Sequence, residues 1–84
     1  MNIMFHSESG RKLNIAANHG TTMEQLIKIF LYRVGNIKLI DSYYSLKDNS
    51  GFYFEYSHNY IKFGEQRYVE NFFSQISCNI YTNI

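Results

Sequence analysis

The sequence contains one cysteine, no proline and no tryptophan. A single thiol excludes an internal disulfide and any zinc site built on cysteine pairs. The expectation that goes with it is a reduced intracellular setting, cytoplasmic or nuclear. Charge is sparse as well. Eight Lys and Arg stand against seven Asp and Glu, leaving a net charge of +1. That is too little to hold a nucleic-acid backbone or an anionic membrane by bulk attraction. No apolar run approaches the ~18 residues that a membrane-spanning helix needs. The opening residues, MNIMFHSESG, lack the basic-then-apolar order of a secretory signal.

Aromatic surface is what the chain has in quantity: 8 Tyr and 7 Phe in 84 residues, with 45% of residues hydrophobic. The length suits one domain spanning 1–84. A chain this short hides only roughly 60–65% of its unfolded surface, so its core must be dense, and the rings can fill it. Low charge combined with many rings argues against disorder.

Residues 2–7 and 12–17 alternate around Ile3, Phe5, Leu13 and Ile15. The intervening Ser7-Glu8-Ser9-Gly10-Arg11 suits a hairpin loop in which Gly10 takes a positive φ. Thr21 and Thr22 are alternative helix caps, with Glu24 or Gln25 closing a capping box. Met23, Leu26, Ile27, Phe30, Leu31 and Val34 then recur at helical spacing, and Gly35 supplies the stop. The spacing predicts one main helix over about 22–34. Residues 36–51 have no clean period; a short strand or an irregular helical turn fits them, with a turn at Asn49-Ser50-Gly51. Residues 52–56, FYFEY, read as a strand. Ser57-His58-Asn59 reads as a turn and Tyr60-Ile61-Lys62 as a short return. Tyr68, Val69, Phe72 and Phe73 suit a short helical turn. Residues 76–84 read as a strand with Ile76, Cys78 and Ile80 on one face and Asn79 and Tyr81 on the other. These elements make an α+β fold, a mixed four- to five-stranded sheet packed on one helix.

That order, together with its local motifs, resembles the ubiquitin-like β-grasp family. The motifs are the hairpin turn Ser9-Gly10-Arg11-Lys12, the Thr21/Thr22 helix start and the aromatic strand Phe52-Tyr53-Phe54. The fourth is the stretch Gly64-Glu65-Gln66-Arg67-Tyr68-Val69-Glu70-Asn71-Phe72 before the last strand. The resemblance covers nearly the whole chain. The longer 36–51 connection, the missing prolines after the helix and the ending Asn79-Ile80-Tyr81-Thr82-Asn83-Ile84 depart from it. Without a di-glycine tail the expectation is a non-conjugated docking module, as found within longer proteins, and not an enzyme. By the same resemblance its binding surface is the outer sheet face. That places Tyr53, Tyr81, His6 and Asn79 at a protein-binding site, beside Glu8 and Ser9 in the first loop. Alternation agrees: if Phe52 and Phe54 face the helix, Tyr53 faces out. Exposed tyrosines suit protein recognition because they offer area with few rotors. The alternatives are a Ras-association-like or FERM-lobe-like adaptor that pairs through the second strand's edge near Arg11 and Lys12, or an RNA-binding β-grasp domain.

The remaining chemistry reads as ordinary structure. Cys78 with His6, His19 or His58 has no flanking catalytic signature and suits a small core residue. The three histidines, weighed with Glu8 or Asp41 as metal ligands, sit in separate loops or strands with no close ligand pair, so no metal and no other cofactor is expected. His19-Gly20-Thr21-Thr22 lacks the spaced glycines and lysine of a phosphate loop. The tyrosines could stack single-stranded bases, but eight cations offset by seven acids make a nucleic-acid partner the weaker reading. The expected partner is a protein, bound by a monomer.

Overall fold

The computed structural model describes residues 1–43, 47–48, 51–73 and 77–84. Asn49-Ser50 of the expected turn, Tyr44 and Leu46 of the irregular stretch, and Ile76 of the expected last strand lie outside the described residues.

Five strands form one mixed sheet: β1 (Asn2–Ser7), β2 (Lys12–Ala16), β3 (Phe54–Tyr56), β4 (Asn59–Tyr60) and β5 (Ser77–Thr82). Their spatial order is β2-β1-β5-β3-β4. β1 pairs antiparallel with β2 and parallel with β5, and β3 pairs antiparallel with both β5 and β4. The first hairpin turns at Gly10, whose φ of 87° needs a residue without a Cβ, and the Gly10 amide donates to the Ser7 carbonyl at 3.1 Å.

Helix α1 runs Met23–Arg33 with Thr22 as its N-cap, and Thr22 and Gln25 form the reciprocal capping box. Two further amide donors at that helix start find carbonyls from far along the chain. Met23 N–H donates to Arg67 at 2.9 Å and Glu24 N–H to Glu65 at 3.0 Å. At the other end, Gly35 and Asn36 N–H groups donate to Tyr32 and Leu31 carbonyls, closing the helix with a left-handed cap. A 3-10 helix, Ile37–Ser42, follows, and a short helix α2 spans Val69–Phe72.

The inner stripe of α1 is buried at Met23, Leu26, Ile27, Phe30 and Leu31. Burial of five such side chains is worth on the order of 10 kcal/mol before ordering costs, an upper value. It packs on the sheet through a ring cluster. Phe5 and Phe30 stack with centroids 4.3 Å apart, and Phe54 meets both edge-on at 6.2 and 5.7 Å. Tyr43 closes the cluster against Phe54 and donates its buried hydroxyl to the Ile61 carbonyl.

Three expected elements differ in extent. The strand expected over 52–56 begins at Phe54, with Phe52 only in a parallel bridge to Tyr43. The reason lies at Tyr53. Its N–H donates to Asn83 Oδ1 at 2.9 Å and its carbonyl accepts from Thr82 Oγ1 at 2.7 Å, so side chains replace the ladder there. The expected return 60–62 is the pair Asn59–Tyr60, reached through Ser57 and His58 at φ 48° and 68°. The described last strand is Ser77–Thr82 rather than 76–84.

Candidate functional site

The outer sheet face is assembled by register. His6 on β1 pairs with Lys12 on β2 and with Tyr81 on β5; Tyr81 pairs with Glu55 on β3; Glu55 pairs with Tyr60 on β4. Residues in register share a face, so Lys12, His6, Tyr81, Glu55 and Tyr60 form one rung across all five strands. The neighbouring rung carries Asn14, Met4 and Asn79. The opposite face holds Ile3, Phe5, Ile15, Phe54, Cys78 and Ile80 in the core.

At the centre of this face the rings of His6 and Tyr81 stack, with centroids 4.8 Å apart and planes inclined by 19°. His6 Nε2 lies 2.8 Å from Asn79 Oδ1. Tyr81 is 50% exposed, and Asn79 is exposed beside it. A stacked ring with one hydrogen bond holding its neighbour is a preformed contact surface: little rotamer entropy remains to be lost when a partner docks. Three of the four residues expected at the binding site therefore sit together.

Tyr53 is the correction. It was expected to be exposed, and it is 6% exposed. It stands outside the core cluster, yet it is covered on its own side. Its ring meets Tyr60 edge-on at 6.4 Å, Lys47 Nζ lies 5.5 Å from the ring centroid, and its hydroxyl donates to Glu8 Oε1 at 3.1 Å. Burial, followed by the hydrogen bond to Glu8, raises its pKa. Tyr53 thus pins the β1–β2 loop to the start of β3 and supports the face from beside it. Alternation alone could not reveal this, because the cover comes from outside the strand, from Lys47 and Tyr60 on either side of it and from Glu8, 45 positions away. Tyr60 and Glu55 complete the surface and were not singled out as binding residues in the sequence; only the register joins them to Tyr81.

No protein-family model matches this chain, and no curated protein matches it.

The other candidate chemistry is scattered. Cys78 lies on the core side, opposite His6, and burial raises its thiol pKa, the reverse of what activates a nucleophile. His19 sits 3.7 Å from Glu70, and His58 sits 3.6 Å from Glu55. Among the described residues no group of three His, Cys, Asp or Glu could hold a metal ion, and no helix is long and apolar enough to cross a membrane. The charge on the outer rung is mixed, Lys12 at one end and Glu55 near the other, which offers no continuous track for a phosphate backbone.

Proposed function

We propose that this chain is a ubiquitin-like β-grasp module that docks a protein partner on its outer sheet face. The strand order β2-β1-β5-β3-β4, with the helix following the first hairpin, supports the β-grasp reading. One observation carries the docking reading: the rung Lys12–His6–Tyr81–Glu55–Tyr60, centred on the stacked His6–Tyr81 pair. Its character is aromatic and polar, so it favours a partner that offers hydrogen-bonding groups around a flat apolar contact. Tyr81 is the anchor, His6 and Asn79 hold it, and Tyr53 keeps the adjoining loop in place.

The test places a photo-crosslinking residue at position 81 and, as a control, at Tyr32 on the outer side of α1. A defined protein adduct from position 81 but not from position 32 is expected. Capture should fall at least tenfold in Tyr81→Ala with the fold retained, as for an interface anchor. Equal adducts from both positions would reject the face.

The β2 edge supports a second reading. β2 is an outermost strand, with exposed Arg11 and Lys12 at its start. An adaptor that extends the sheet there would lose its partner in Arg11→Glu and keep it in Tyr81→Ala.

A further inference from the structure

On the helix side of the sheet, the β1–β2 hairpin and the end of α1 enclose a pocket of about 160 Å³. Phe5 and Phe30, stacked on one another, line its floor, Leu13, Val34 and Ile84 line one part of its wall, and Ser7, Ser9 and Asn36 make the rest polar. Arg11, Lys12 and Arg33 stand at its mouth, and among the described residues no Asp or Glu lines it. All three cations are exposed, and none is in an ion pair among the described residues.

A cavity of roughly 150 Å³ with apolar walls admits a group the size of benzene. Three unpaired cations around such a cavity complement a single negative charge held just outside it. We propose that this pocket binds a small amphiphilic anion: one aromatic ring placed on the Phe5–Phe30 floor, carrying a carboxylate that reaches Arg11 and Arg33. Its floor is made of residues that point to the helix side, and Lys12 at its mouth is shared with the outer rung.

The experiment is an amide NMR titration of the whole chain with 3-phenylpropionate, with the neutral 3-phenylpropionamide and inorganic phosphate in parallel. Saturable shifts at Leu13, Val34 and Asn36 are expected with the carboxylate. Binding should be about tenfold weaker for the amide and absent for phosphate at the same concentration. Arg11→Gln and Arg33→Gln, both at exposed positions, should each weaken the carboxylate about tenfold and leave the amide unchanged. Val34→Phe, which fills the pocket, should remove both. Equal affinity for carboxylate and amide, unchanged affinity in both arginine variants, or shifts that fall on His6 and Tyr81 instead would overturn the proposal.

Discussion

The hydroxyl of Tyr53 donates to Glu8 Oε1 at 3.1 Å, joining the first turn of the chain to the start of its third strand. The bond is partly buried, and it ties down a loop whose other bonds are local, among them Ser7 N–H to the Arg11 carbonyl, Arg11 N–H to Ser7 Oγ and Gly10 N–H to the Ser7 carbonyl. Tyr53→Phe should therefore cost about 1 kcal/mol in urea unfolding and increase amide exchange in residues 7–10. Tyr53→Ala should cost about 3 kcal/mol or more because the ring is buried too. Tyr81→Ala, by contrast, should shift stability by about 1 kcal/mol or less, since half of that ring is already in water. Equal losses at positions 53 and 81 would contradict this division between support and contact.

The start of α1 is fastened by its own cap and by a distant segment. Thr22→Ala should destabilise the protein by about 1 kcal/mol, through loss of the bond from Gln25 N–H to Thr22 Oγ1. Thr22→Ser should restore nearly all of it. Thermal unfolding of the three proteins measures this directly, with Gln25→Ala expected to fall between wild type and Thr22→Ala.

The β3–β4 turn carries Ser57 and His58 with positive φ, a conformation that Asn and Gly adopt with less strain. Replacing the pair by Asn-Gly should raise stability by about 0.5–1 kcal/mol. The pairing of His58 with Glu55 at 3.6 Å is almost fully exposed on the histidine side and offers little to lose. A lower melting temperature in the Asn-Gly variant would show that the turn is held by something other than its backbone geometry.

Two tyrosines should titrate late. Burial raises the phenol of Tyr43, with Glu65 adding to it, and burial followed by Glu8 raises that of Tyr53. In the unfolded chain both ionise at about pH 10. The folded state keeps them protonated, so their contribution to stability is full below that pH and declines as pH climbs through and beyond it. Ultraviolet difference titration should show a delayed phenolate fraction that shrinks in Tyr43→Phe and in Tyr53→Phe. Unfolding in urea should become easier above about pH 10 and less steeply so in those variants.

Periodicity reveals the elements that close within a few residues. The α1 stripe, the Thr22/Gln25 box, Gly10 and Gly35 all act on near neighbours, and each stands where spacing places it. The interactions that escape such a reading are long-range. Asn83 and Thr82 shorten β3 by taking the backbone groups of Tyr53 from 29 or 30 positions away. Glu65 and Arg67 carbonyls complete the helix start from more than 40 residues downstream. The candidate face shows the same split. Alternation orients His6, Asn79 and Tyr81 correctly, whereas the burial of Tyr53 depends on Glu8, Lys47 and Tyr60, which no local pattern connects.

The parallel pairing of β1 with β5 has a consequence for how the molecule comes into being. A ribosome delivers residues 2–7 first and residues 77–82 only some seventy positions later, yet these two segments are neighbours in the middle of the sheet. Until the later one emerges, β1 has β2 as its sheet neighbour, and Ile3 and Phe5 lack Cys78 and Ile80 beside them in the core. Formation of this sheet therefore waits on residues 77–82, and a nascent chain is exposed to aggregation for as long as that wait lasts.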